Sequence, residues 1–546
     1  MATALGFTVL SRSVDVNPMV RVGQVSGLAH LQLYAALLGL PPLAWLLYAA
    51  YRGSQGRFWL AQRLTCAAVA GLATGVVAGG VTVALHGTPW ALGGQGSDPA
   101  NLQAMAQDII DGRGLPVLYP PGFPAVLAFW AEHVRGGQPG FALKDLQLVF
   151  SALVGPMSYL AWRLVLRPVW ALMIAIPAAL VFLDPIRPYS HVVMIVLLPL
   201  LAAFLGVLRT APNRRLSAVL LLGASFGVAF GLMILWYVGW FVWAGPGALV
   251  LIACTVPWRR GGFALRRAGL FAGVAGLCTA VVGSPVLWPM LNSGTGTVDR
   301  YAYPGAFSDP AYVFGWLNDR PGAATIDNWP VPGELAGQTG FVLLLLLGVA
   351  LGVGLGVRYL PVRATLAALV SAWLLRFWYA SRMEHDQAVM LYPRTTWMIM
   401  YCLMILAVFG VMLTVRRGSG WLNVALASAE GVRAKLPVRG VRQAVAGAIC
   451  AIALFATMGA SWSANRYMPE LDPTMNSLGI DSYHAHQLQR ADGSCSPYAP
   501  EGKCTPGRVL HASPPGTGQE DPQLWCAAVP GPQWPTTCGR PAPWAK

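Results

Sequence analysis

Twelve stretches of the chain stay apolar for long enough to cross a membrane. They lie near 28–50, 64–86, 146–166, 169–184, 190–208, 216–235, 237–256, 267–289, 340–357, 363–380, 394–415 and 441–461. A helix rises about 1.5 Å per residue, so a hydrocarbon layer of about 30 Å needs about 20 such residues. Within lipid the backbone must satisfy its own N–H and C=O groups, and apolar runs of this length do so as helices. The pattern predicts an all-α polytopic membrane protein with about 12 transmembrane helices, or 11–13 allowing for ambiguous runs.

Two segments depart from the pattern. In 97–111, Leu102, Met105, Ile109 and Ile110 recur at helical spacing among polar residues, which predicts a helix lying on the membrane surface. Residues 119–133, YPPGFPAVLAFWAEH, are apolar but short and open with three prolines. They predict a re-entrant or surface helix in place of a crossing.

Charge orients these elements. Only 11% of the 546 residues are charged and 55% are hydrophobic, whereas soluble domains carry about a quarter charged residues. The net charge of +15 gathers in short loops at 52–63 (Arg52, Arg57, Arg63), 209–215 (Arg209, Arg214, Arg215), 257–267 (Arg259, Arg260, Arg266, Arg267) and 416–442. Such charge marks the cytoplasmic face and contacts anionic lipid; it does not indicate a nucleic-acid partner. If 119–133 does not cross, the opposite face collects 1–27, 87–145, 291–339, 381–393 and everything from 462. The predicted organisation is an extracytoplasmic segment at 1–27, a transmembrane domain at 28–461 and an extracytoplasmic tail at 462–546. The first residues lack the apolar core and cleavage site of a signal peptide.

Cysteine usage agrees with that orientation. Cys66, Cys254, Cys278, Cys402 and Cys450 lie in apolar runs, where they act as small packing groups. Cys495, Cys504, Cys526 and Cys538 are in the Pro- and Gly-rich tail, an even set that predicts two disulfides and an oxidising compartment. Spacing leaves three pairings open, and none of it resembles a zinc site. There is no GxxxxGK[ST] loop and no repeat of 20–50 residues, so no nucleotide-driven pump is indicated.

The outer segments carry the candidate chemistry. Asp98 precedes Pro99 at the start of the surface helix, where its carboxylate would serve either as a helix cap or as a reactive group. Asp108 and Asp111 are expected on the solvated side of that helix. The connection DPIRPYSH brings Asp184, Arg187, Tyr189 and His191 to the same level, with an Arg–Asp pair as the simplest reading. SRMEHDQAVMLYPR adds Arg382, Glu384, His385, Asp386 and Arg394; arginines there could snorkel or hold a phosphate bidentately. The loop 291–338 mixes aromatics with Asp299, Asp309, Asp319 and Asp327, a combination suited to sugars, and equally to an interface belt. A carboxylate, cations and a sugar-compatible loop at one lipid interface fit transfer of a sugar from a lipid phosphate. The acceptor hydroxyl is a poor nucleophile and needs a base (Asp98), while the leaving phosphate needs cations (Arg187, Arg394 and Arg382).

Taken in order, SDPANLQ (97–103), LPVLYPPGFPAVLAFW (115–130), DPIRPYSHVVMIVLLPLL (184–201), FGLMILWYVGWF (230–241), GSPVLWPML (283–291) and YPRTT (392–396) resemble a GT-C glycosyltransferase. More closely, they resemble the actinobacterial galactan arabinofuranosyltransferase family. The resemblance covers most of 20–415. It implies a polyprenyl-phosphate arabinofuranose donor, a cell-wall polysaccharide acceptor, and an active site on the outer face of the plasma membrane. It maps the family's loop acid onto Asp98; the candidate substrate contacts within the matching segments are Asn101, Tyr119, Tyr189, His191 and Trp288. Some enzymes of the superfamily use a divalent cation and others none; oligomeric state is open. Two departures are visible: the family has glutamine after the acid where this chain has Pro99, and a sizeable soluble domain where this chain has 462–546. Other readings are a related enzyme using another polyprenyl-phosphate sugar or acceptor, a lipid-linked sugar transporter, and a non-catalytic envelope scaffold. A transporter would place its charges near mid-bilayer, often in paired halves, whereas here they gather at span ends.

Overall fold

The computed structural model describes residues 1–52, 54–116, 119–292, 338–386, 395–428, 438–471, 478–512, 532 and 535. In chain order the helices are α1 (Ala2–Leu10), α2 (Arg21–Tyr51), α3 (Gln55–Ala84), α4 (Ser97–Ile110), α5 (Gly122–Val134), α6 (Pro139–Arg163), α7 (Pro168–Phe182), α8 (Pro188–Thr210) and α9 (Leu216–Trp236). They continue with α10 (Gly239–Thr255), α11 (Gly262–Asn292), α12 (Gln338–Gly356), α13 (Leu360–Asp386), α14 (Thr395–Ser428), α15 (Val438–Met458), α16 (Ala460–Asn465) and α17 (Gly479–His486). No strand occurs among the described residues; Leu488 and Thr505 form one isolated bridge.

Each of the twelve apolar runs overlaps a helix. Among the described residues, eight helices are long and apolar enough to cross a membrane. These are α2, α3, α8, α9, α11, α13, α14 and α15, the last running on into α16. The protein is therefore an all-helical, multi-pass membrane protein. Three of the other runs fall short individually: α7 has 15 residues and α10 has 17, while α6 carries Lys144, Asp145 and Arg163. At 13 residues α5 reaches only about 20 Å, too little to span. It is a short helix, as its prolines predict, and α4 before it buries Leu102, Ala104 and Ala106.

The chain divides into two compact units. The first comprises Met1–Pro116, Pro120–Ala203 and Met412–Ala512. Its centre is α3, buried over most of its length and packed against α1, α2, α6, α7, α15 and α16. Without a hydrophobic drive between helices in lipid, small residues that allow close backbone approach decide such packing. On α3 they recur every fourth residue. A Cβ on Gly75 would stand 3.1 Å from the Phe7 Cβ, and one on Gly79 would collide with Ser11. That glycine stripe is what seats α1, an element the apolar pattern of 1–27 did not predict. Thr74 then donates to the Ala152 carbonyl at 2.7 Å, locking α6 to α3. The second unit is centred on Phe204–Val411. In it α9 packs on α11 through Gly223, Gly227 and Gly231, and α10 packs on α13.

Candidate functional site

In the first unit the polar tail is bound tightly to the segment 85–111. Gly93 N–H donates to the Asp481 carbonyl at 2.8 Å, and Thr88 Oγ1 to the Ala485 carbonyl at 2.8 Å. Trp90 is 4% exposed, its ring lodged against Gly140 and Gly507, and its Nε1 donates to the Gln489 carbonyl at 2.7 Å. Gln95 and Arg508 exchange two hydrogen bonds, at 2.5 and 2.8 Å. A disulfide joins Cys495 to Cys504 inside this strap. Cys526 and Cys538 lie outside the described residues. Asp108 is not simply solvated: it accepts the Ala512 N–H at 3.0 Å and pairs with His511 at 2.9 Å, so it anchors the end of the strap. His486 sits between the Ala84 carbonyl (2.9 Å) and Ser496 (3.1 Å). Burial outweighs the carbonyl's pull and holds its imidazole down at about 4, so it is neutral.

Around this clamp three carboxylates and one guanidinium converge. The N-cap of α4 is Gly96 and no side chain caps the helix, which removes the cap reading of Asp98. Asp98 instead stands in the first turn, where the helix dipole favours an anion, and accepts from Arg187 Nη1 at 2.9 Å. Pro99 is harmless there, because first-turn N–H groups have no intrahelical partner. The connection before α8 is built for its arginine. Asp184 accepts the Ile186 N–H at 3.0 Å, a turn of Asx type, and takes Arg187 Nε at 3.2 Å, while Pro188 opens α8. Burial pushes the Asp184 carboxyl up, but Arg187, His191 and the Ile186 N–H together hold it below the ordinary value. The expected Arg187–Asp184 pair is thus present, and Arg187 bridges it to Asp98.

The third carboxylate is Asp481, in the first turn of α17. Burial, then the neighbouring Asp184 and Asp98 charges, push it up to about 6 against the pull of Arg187. Sequence reading missed it because it lies in the tail, far along the chain from Asp98. Its Oδ1 would stand 3.5 Å from a Cβ on Gly93, whose φ of +82° leaves the position to glycine. Among the described residues, no three His, Cys, Asp or Glu side chains are grouped as a metal site requires.

The remaining candidates divide as follows. Asn101 is exposed on α4. Tyr189 and His191 are 1% and 3% exposed, and the Tyr189 ring stacks on Phe123 at 4.2 Å. Both rings are packed into the protein beside Arg187. Tyr119, Trp288 and Arg382 belong to the second unit. There Trp288 is 70% exposed, and the Arg382 guanidinium lies 5.2 Å above the Trp378 ring. Arg394 lies outside the described residues. A further cation was missed: Arg376, within α13, is 2% exposed and donates to Thr395 Oγ1 at 3.0 Å. An arginine inside a span is a functional signal in its own right.

No family model matches the chain, and no curated protein matches it.

Proposed function

We propose that the protein is a GT-C-type membrane glycosyltransferase. In this reading it moves a sugar, arabinofuranose by resemblance, from a polyprenyl-phosphate donor to a hydroxyl of a cell-wall glycan. The chain then crosses the plasma membrane about twelve times, with α4, α5 and the tail on the outer face. The observation that carries the proposal is the bridge from Asp98 through Arg187 to Asp184, formed where a surface helix meets the mouth of the α7–α8 connection.

In the reaction, Asp98 accepts the proton of the acceptor hydroxyl as its oxygen attacks the anomeric carbon. The bond from that carbon to the phosphate oxygen breaks, configuration inverts, and the lipid phosphate leaves with the electron pair. Arg187 exchanges its carboxylate partners for the phosphate as the donor arrives. Asn101, exposed on α4 beside Asp98, supplies a sugar contact. With its proton affinity raised toward neutrality, Asp481 can hold a sugar hydroxyl in either protonation state.

The test uses membranes from cells expressing the wild type or Asp98→Asn, given radiolabelled polyprenyl-phosphate arabinose and a galactan acceptor. Transfer by the wild type and its loss in the variant are expected. Full activity in the Asn variant would remove Asp98 from the mechanism. Absence of transfer with every polyprenyl-phosphate sugar and glycan tried would overturn the enzymatic reading in favour of a transporter or scaffold.

A further inference from the structure

A second concave site lies within the other unit, on the face that loop charge assigns to the cytoplasm. Its volume is about 330 Å³, and it is lined by Arg209, Arg260, Arg358 and Arg363 together with Cys254, Thr255, Pro257 and Leu360. The four arginines come from separate segments: the last turn of α8, the turn after α10, the link after α12, and the first turn of α13. No carboxylate lines the pocket, and none of the four has an ion-pair partner among the described residues. Scattered positive-inside charge would not need to converge on one cavity, since like charges repel. Nor does helix polarity explain all of it. Arg209 suits the C-terminal end of α8, but Arg363 stands in the first turn of α13, where the dipole opposes a cation. Arg363 is held there by donating Nε to the Val357 carbonyl at 2.6 Å.

We propose that this pocket holds the phosphate headgroup of an anionic membrane lipid. Guanidinium forks bind phosphate oxygens bidentately, and basic pockets at the cytoplasmic ends of membrane helices suit lipid headgroups. A lipid is favoured over soluble phosphate because exposed aromatics flank the lining residues Pro257 and Arg260 along the chain. Trp258 is 63% exposed with its Nε1 donating to the Ala253 carbonyl, and Phe263 is 65% exposed, as interface anchors are.

The experiment measures binding of dioleoyl phosphatidylglycerol, dioleoyl phosphatidylcholine and inorganic phosphate to the purified full chain in detergent. Readouts are native mass spectrometry and the lipid-dependent rise in unfolding temperature. Each arginine near the headgroup is worth about fivefold in affinity, so Arg209→Gln with Arg358→Gln should weaken phosphatidylglycerol about 25-fold. A control pair on the same face outside the pocket, Arg214→Gln with Arg266→Gln, should change it by less than about threefold. Should the pocket pair fold poorly, Arg358→Gln alone, in a link outside any helix, should still show about fivefold. Equal losses in both pairs, or equal binding of phosphatidylcholine, would overturn the pocket. Displacement of the lipid by inorganic phosphate at matching concentration would overturn the lipid assignment.

Discussion

Replacing Asp481 by asparagine should stabilise the protein at neutral pH, and the gain should vanish in acid. The carboxyl titrates near 6 in the folded state, against an ordinary value near 3.8. The folded state therefore binds this proton more tightly than the unfolded chain does. Stability from this group is fully present below about 3.8 and is lost as pH rises through about 6. Each tenfold in proton affinity is worth about 1.4 kcal/mol, so the ionised group costs about 3 kcal/mol at most above pH 6. Water reaching the partly exposed side chain brings a realistic figure to about 1–2 kcal/mol. His486 works in the opposite direction, since its depressed value costs stability as pH falls from about 6.5 toward 4. The informative quantity is accordingly the difference between variant and wild type, in which His486 cancels. Thermal unfolding of both in detergent from pH 4 to 8 should give curves that coincide near pH 4, separate between 4 and 6, and run parallel above 7. A difference independent of pH, or a variant less stable than wild type at pH 7.5, would show that Asp481 is not held among like charges.

Other consequences follow from the same geometry. Asp98→Asn should lower transfer about 10²–10⁴-fold, the usual worth of a general base, while moving stability by less than about 1 kcal/mol because the Asp98–Arg187 pair is partly solvated. Comparing turnover with the unfolding midpoint checks both. Arg187→Gln should destabilise by about 1–3 kcal/mol, chiefly by leaving Asp184, whose side chain is 14% exposed, without its charged partner; denaturant unfolding reads this directly. Trp90→Ala should cost about 3–5 kcal/mol and expose the 487–512 strap to protease, seen as early cleavage there, because the ring fills the space between Gly140 and Gly507.

Most of the helical framework was legible because apolar run length is a strong signal in lipid, and each run acquired a helix. Three runs do not meet the requirement for a crossing singly, since helix ends set by Pro168 and Gly239 and the charged residues early in α6 shorten their apolar windows. The bridge at Arg187 was half legible. Its partner Asp184 is three residues away, but the link to Asp98 needs the α4 start and the α7–α8 connection brought together in space. Asp481 and α1 were hidden for a common reason: both depend on glycines of a distant partner, Gly93 in one case and the Gly71–Gly75–Gly79 stripe in the other. Arg376 could have been found, as a cation in the interior of the apolar run 363–380 demands a polar partner, which Thr395 supplies.

The way Arg187 is held implies an order of binding. Oδ2 of Asp98 already accepts from the guanidinium, so the oxygen is occupied until another anion draws Arg187 away. A lipid phosphate can do so, because it offers bidentate acceptance to a guanidinium that is still 37% exposed. An acceptor sugar carries hydroxyls and no comparable charge, so it cannot displace the ion pair by itself. In the proposed transfer the donor is therefore expected to bind first and to free this oxygen of Asp98. A non-reactive deoxy analogue of the acceptor should then inhibit uncompetitively against the donor in initial-rate measurements. A mixed or competitive pattern would mean that Asp98 is accessible without the phosphate, and that Arg187 serves the fold and not the exchange.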